Sequence, residues 1–180
     1  IHTRNEFPST YALAVGIGEE QKLDNNVIRE SIVKAVKKCL ELKAKSIAFD
    51  IDTNSAFGIP TLIATSIVNY HFDKYKTKKE HRISEVYISK VTNDIKIAEY
   101  VSEAMKLARN LANEPAAFAT PSKLADIAQG FEGLETTVYE EEQIREMGMG
   151  AYLAVAQGSN QPPKFIHMKY SCEKTKKRID

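Results

Sequence analysis

The chain is predicted to fold as α/β: a mainly parallel sheet with flanking helices, a long connecting helix, then the opening of a second α/β domain. Short apolar, β-compatible runs alternate with helical periodicities in the order strand, helix, strand, helix, strand as far as Val91. That alternation is how a parallel sheet is wound, through right-handed crossovers. A helical pattern from Asp94 to Asn113 then stops at Pro115, and beyond it helix and strand signals resume with caps of their own.

Tyr11 to Ile17 is a short apolar run closed by Gly16 and Gly18, the pattern of a buried strand before a turn. From Asp24, a good N-cap, to Lys43 the residues Val27, Ile28, Ile32, Ala35, Val36, Cys39 and Leu40 recur at helical spacing. Ser46 to Ile51 is the next strand. Gly58-Ile59-Pro60 opens a second helix, with proline in its tolerated first turn, and apolar residues carry the pattern to about Tyr75. After a charged connector, Lys74 to Arg82, Ser84 to Val91 alternates as a third strand.

Thr92, Asn93 and Asp94 offer a cap for the long helix, whose stripe is Ala98, Val101, Met105, Ala108 and Ala112. Thr120-Pro121 starts a short helix that Gly130 ends; Leu134 to Tyr139 reads as a strand, Glu140 to Met147 as a helix ended by Gly148, and Lys164 to Tyr170 as the last strand.

Composition excludes several classes. Lys plus Arg number 25 against 24 Asp plus Glu, so no charge excess argues for nucleic acid or an anionic membrane as the main partner. Neither Cys39 nor Cys172 has a second cysteine nearby, which speaks against a disulfide framework or a zinc knuckle and fits a reducing, cytoplasmic setting. No apolar run approaches the length of a membrane span, and the first residues, although they begin with Ile1, are not signal-like.

Few constellations carry chemistry. Ala14 to Gly18 resembles the start of a dinucleotide loop, but Gln21 stands where the third glycine belongs, so a plain turn is the simpler reading. Asp50 and Asp52 share a strand face; without a nearby histidine or third acid they read as a solvated strand end. His2, His71, His81 and His167 are too far apart in sequence to share a local metal motif. The run KYKTKKEHR, Lys74 to Arg82, holds five Lys or Arg residues and could touch phosphates, yet Glu80 breaks it and a solvated loop explains it.

Asn113-Glu114-Pro115 with Thr120-Pro121, followed by MGMGAYLAVAQGS (Met147 to Ser159) and Gln161-Pro162-Pro163-Lys164-Phe165-Ile166, carries the most information. Together these segments resemble the leucyl aminopeptidase (cytosol aminopeptidase) family of two-metal exopeptidases, from about the first residue to the last. One departure is Ala117, where that family often has Asn after Asn-Glu-Pro-Ala. The resemblance implies a partial macro-like N-terminal domain over residues 1–92, a connecting helix over 93–115, and the beginning of the catalytic domain over 116–180.

It further implies a parent enzyme that releases N-terminal amino acids from peptides, in the cytoplasm, as a homo-hexamer. Two divalent ions, zinc or manganese, would polarise the scissile carbonyl and activate a bridging water. The family's metal-ligating and catalytic motifs have no match in this sequence. No catalytic, cofactor-binding or metal residue is therefore expected, no bound ion is expected, and the chain alone is expected to be an inactive part of a longer enzyme. The alternative is a non-catalytic module: a macro-like domain for a nucleotide or nucleic acid, or an oligomer scaffold.

Overall fold

A computed structural model describes residues 1–4, 6, 8–52, 58–90 and 95–171. The chain is mixed α/β and divides into two compact units, Ile1–Asn113 and Glu114–Asp180.

In the first unit, helix α1 spans Asn25–Glu41. The Asp24 carboxylate accepts hydrogen bonds from the backbone N–H groups of Asn26 and Val27, both at 2.8 Å, which satisfies two donors the first turn leaves open. Ile28, Ser31, Ala35 and Val36 form its buried stripe. Lys43, with φ at 55°, takes the left-handed position that reverses the chain after the helix.

Strand β1, Ser46–Asp52, lies parallel to β2, Glu85–Lys90, with Ile47 opposite Val86 and Phe49 opposite Ile88. Helix α2, Gly58–Val68, falls between them in sequence and packs on α1, as a crossover between parallel strands requires. Val36, Ile47 and Ile83 are the buried centre, with Ile32, Cys39, Leu40, Ala44, Phe49 and Val68 packed around it. Helix α3, Ile95–Asn113, packs against α2. Its expected cap, Thr92 to Asp94, lies outside the described residues.

Two sequence expectations need correction in this unit. Tyr11 to Ile17 is not a strand: Tyr11 makes an isolated bridge to His2, and the run beyond it has no ladder partner among the described residues. Tyr11, Leu13 and Val15 are each more than one-third exposed, and β-propensity without a neighbour to pair with does not make a strand. Helix α2 stops at Val68 rather than near Tyr75. The Asn69 side chain there turns to the distant Ile83, donating to its carbonyl at 2.7 Å and accepting from its N–H at 2.8 Å. These bonds hold the chain out of the helical path.

In the second unit, helix α4 spans Pro121–Gln129. Thr120 caps it through the Lys123 N–H, proline occupies the first turn, and Gly130 ends it, as expected from the sequence. Strands β3, Leu134–Tyr139, and β4, Phe165–Tyr170, form an antiparallel pair with Leu134 opposite Tyr170 and Tyr139 opposite Phe165. The Thr136 hydroxyl donates to the Ala128 carbonyl at 3.2 Å and ties α4 to the sheet. Helices α5, Glu141–Glu146, and α6, Gly150–Ala156, fill the connection between the strands. Gly148, at φ 71°, makes the reversal between them, a conformation that favours glycine.

Candidate functional site

The segments that carried the family resemblance are held by side-chain contacts reaching far along the chain. In the first unit, Arg109, Asn110 and Asn113 of α3 gather on Tyr70. The tyrosine hydroxyl donates to Asn110 Oδ1 at 2.9 Å and accepts from Asn113 Nδ2 at 3.2 Å. The Arg109 guanidinium lies 4.0 Å from the centre of the Tyr70 ring and donates to the Ile67 carbonyl at 2.9 Å. Beyond Asn113, the N–H groups of Phe118 and Ala119 both return to the Pro115 carbonyl, at 2.8 and 3.0 Å, forming the turn that follows the proline.

In the second unit, Lys164 is the centre of the Gln161-to-Ile166 segment. Its ammonium pairs with both carboxylate oxygens of Glu140, at the start of α5, with the lysine side chain only 15% exposed. The Tyr152 hydroxyl of α6 donates to the Lys164 carbonyl at 2.6 Å. Phe165 stacks on Tyr139 at 5.7 Å between ring centres and meets Tyr152 edge-on at 6.2 Å. A cleft of about 320 Å³ opens beside α5 and α6, lined in part by Arg145, Leu153, Gln157, Ser159, Pro162 and Pro163. Arg145 in its wall is engaged by Glu141 at 2.8 Å.

The connector after α2 is organised around an acid the sequence reading passed over. Asp73 is buried at 6% exposure and pairs with Arg82 at 2.7 Å and Lys79 at 3.8 Å. Lys79 Nζ also donates to the Asp73 carbonyl at 2.6 Å, and Arg82 to the His71 carbonyl at 2.8 Å. Lys76 pairs with Glu80 at 3.1 Å. Lys76, Lys79 and Arg82, cations of the run that could touch phosphates, therefore already have acidic partners. Aspartate ahead of a cationic run was the signal that could have revealed this hub.

Burial by itself would raise the Asp73 carboxyl, but the Arg82 guanidinium, with Lys79 behind it, holds it below the ordinary carboxylate range. A lowered folded-state pKa contributes stability that is complete above the unfolded value and is lost as pH falls through the folded one. Wild-type stability should therefore drop as pH falls below about 4. Asp73→Asn should be less stable near neutrality and should flatten the acid limb in urea titrations across that range.

The sequence-nominated groups do not converge. His2 meets Tyr11 edge-on at 5.2 Å. His81 Nε2 lies 2.9 Å from the Ala44 carbonyl and must carry the proton there, because a carbonyl only accepts; His71 Nδ1 meets the Asn69 carbonyl at 3.2 Å in the same sense. His167 lies opposite Thr137 in the antiparallel pair. Asp50 is exposed, while the Asp52 side chain and Cys172 lie outside the described residues. Gly18, two residues after Gly16, has a positive φ of 84°. Burial pushes the Cys39 thiol up, away from the thiolate form a nucleophile needs. Among the described residues, no three His, Cys, Asp or Glu side chains stand together as metal ligands, and no helix is long and apolar enough to cross a membrane.

Comparison with known proteins gives these contacts a context. Residues 1–79 match the model for the cytosol aminopeptidase family, N-terminal domain, and residues 106–179 match that for the cytosol aminopeptidase family, catalytic domain. A probable cytosol aminopeptidase of Sulfurihydrogenibium sp. (strain YO3AOP1) is 34% identical over 187 residues, covering 94% of this chain and 37% of that protein. Among solved structures, a mutant tomato leucine aminopeptidase aligns with a TM-score of 0.78 at 24% identity, over 91% of this chain and 36% of that one. The bottromycin maturation enzyme BotP in complex with Mn aligns at 0.73 and 23% identity, over 88% and 36%. These two likenesses are of fold. The chain thus spans somewhat over one-third of the length of the proteins it matches.

Proposed function

Because the chain belongs to the cytosol aminopeptidase family, we propose that it supplies the N-terminal domain and the opening of the catalytic domain of a metallo-aminopeptidase that removes N-terminal residues from peptides. The observation that carries this reading is order: two domain models of one family match consecutive stretches, N-terminal first and catalytic second. In this reading residues 1–92 form the N-terminal domain, 93–115 the connecting helix and 116–180 the start of the catalytic domain. The longer enzyme is cytoplasmic and assembles as a homo-hexamer.

Two divalent cations, zinc or manganese, belong to that longer enzyme, and BotP with its Mn favours manganese as the first metal to try. The described residues offer no three-donor cluster to hold such a pair. No side chain of this chain is given a part in bond cleavage, and the chain alone is inactive. Tyr70, Arg109, Glu140, Tyr152 and Lys164 build support: they fix helices and a strand through the contacts described above.

The test is hydrolysis of a leucine arylamide by the purified chain, with manganese or zinc added. No turnover above the metal blank is expected. Turnover proportional to chain concentration and abolished by a chelator would overturn the assignment of an inactive support. The family reading is checked separately, by whether a protein in which this sequence continues into a metal-ligand region cleaves the same substrate.

A further inference from the structure

Tyr70 and the residues around it join two stretches that the family comparison treats separately. Tyr70 lies within the part matched as N-terminal domain, whereas Arg109, Asn110 and Asn113 lie within the part matched as catalytic domain, which begins inside α3. Apolar burial at that end of the helix is partial, with Met105, Leu107 and Leu111 half-buried. Of the α3 side chains only Ala98, in the first turn, is buried.

The polar contacts complement one another. Ile67 is in the last turn of α2, where carbonyls lack helical partners and carry the negative end of the helix dipole. Arg109 fills that position with a cation, and the same planar group covers the Tyr70 ring. The tyrosine hydroxyl uses its donor on Asn110 and an acceptor position on Asn113, so both neutral amides are engaged by one atom.

We infer that Tyr70 and Arg109 form a latch that makes the C-terminal half of α3 part of the N-terminal body, so that the chain leaves that body at Asn113 rather than at the start of the helix. A helix free at that end would act as a flexible connector; a latched one is a rigid extension of the domain that holds it. Which residues move together does not depend on the reaction the longer protein performs.

Amide exchange of this chain, followed by mass spectrometry, separates the two cases. Tyr70→Phe keeps the ring but removes both hydroxyl hydrogen bonds. Arg109→Lys keeps the charge but loses the planar group. Each variant should speed exchange of the amides from Leu107 to Asn113 about tenfold, the scale of one or two net hydrogen bonds, while amides of α1 and β1 keep their rates. Tyr170→Phe, the same chemical change in the second unit, should leave α3 unaffected. Unchanged exchange at the end of α3 in both variants, or a uniform rise over the whole of Ile1–Asn113, would overturn the latch, the second because it is what general destabilisation gives.

Discussion

Ile144→Ala should lower the free energy of unfolding by about 2–5 kcal/mol. The Ile144 side chain is fully buried, at 0% exposure, and is among the largest side chains so enclosed. It sits in α5, which has only six residues. A helix that short cannot persist by its own hydrogen bonds, since nucleation costs more than a single turn returns. Its position therefore rests on what it buries and on its ends, where the Glu140 N–H donates to the Gln143 side chain and Gly148 reverses the chain.

Truncation at this point removes the apolar anchor and leaves a cavity, and the two costs add. Ile144→Val deletes a single methylene and should cost about 0.5–1.5 kcal/mol. Urea titrations of both variants, with amide exchange over residues 141–156, check the ranking. A loss for Ile144→Ala no greater than for Ile144→Val would show that the surroundings collapse into the space and that the anchor is not Ile144.

Where a stop or start depends on neighbours in sequence, the fold was legible. Asp24 caps α1, and Thr120-Pro121 and Gly130 bracket α4, because a cap acts within three residues of itself. Strand β3 has the bounds read from the sequence, Leu134 to Tyr139. The failures are all matters of partners far away. Tyr11 to Ile17 has strand composition, but composition cannot say whether another strand lies alongside. The apolar pattern of α2 runs on through Phe72, whereas its end is decided by Asn69 bonding Ile83, fourteen residues later.

The same distinction governs the candidate site. The segments around Asn113, Met147 and Gln161 were recognisable as strings, and the family matches agree with them. What they do in the fold was hidden, because Lys164 meets Glu140 across 24 positions, Tyr70 meets Asn110 across 40, and Tyr152 reaches Lys164 across 12. Pairings of that range leave no periodicity to read. Asp73 was missed for a related reason: beside Lys74 and the cations after it, an aspartate looks like surface charge until burial singles it out.

Asn69→Ala should be the most damaging single change among the polar residues of the first unit, at about 2–4 kcal/mol. The Asn69 amide does for Ile83 what a neighbouring strand would, accepting from its N–H and donating to its carbonyl. Ile83 is 4% exposed and belongs to the core with Val36 and Ile47, so water does not readily replace either bond. Alanine leaves two buried backbone groups without partners, and the penalty for such groups exceeds the net worth of the bonds they made. Asn69→Asp separates the two halves of the interaction. Near neutrality the new carboxylate still accepts from the Ile83 N–H, but it faces the Ile83 carbonyl with no proton to donate. Its deficit relative to wild type at the same pH should shrink as pH falls through the carboxyl range, because protonation restores a donor, whereas the deficit of Asn69→Ala should not respond in that way. Urea titrations of the three proteins at matched pH decide it, and parallel curves for the two variants would mean that the amide's donor has no part in ending α2.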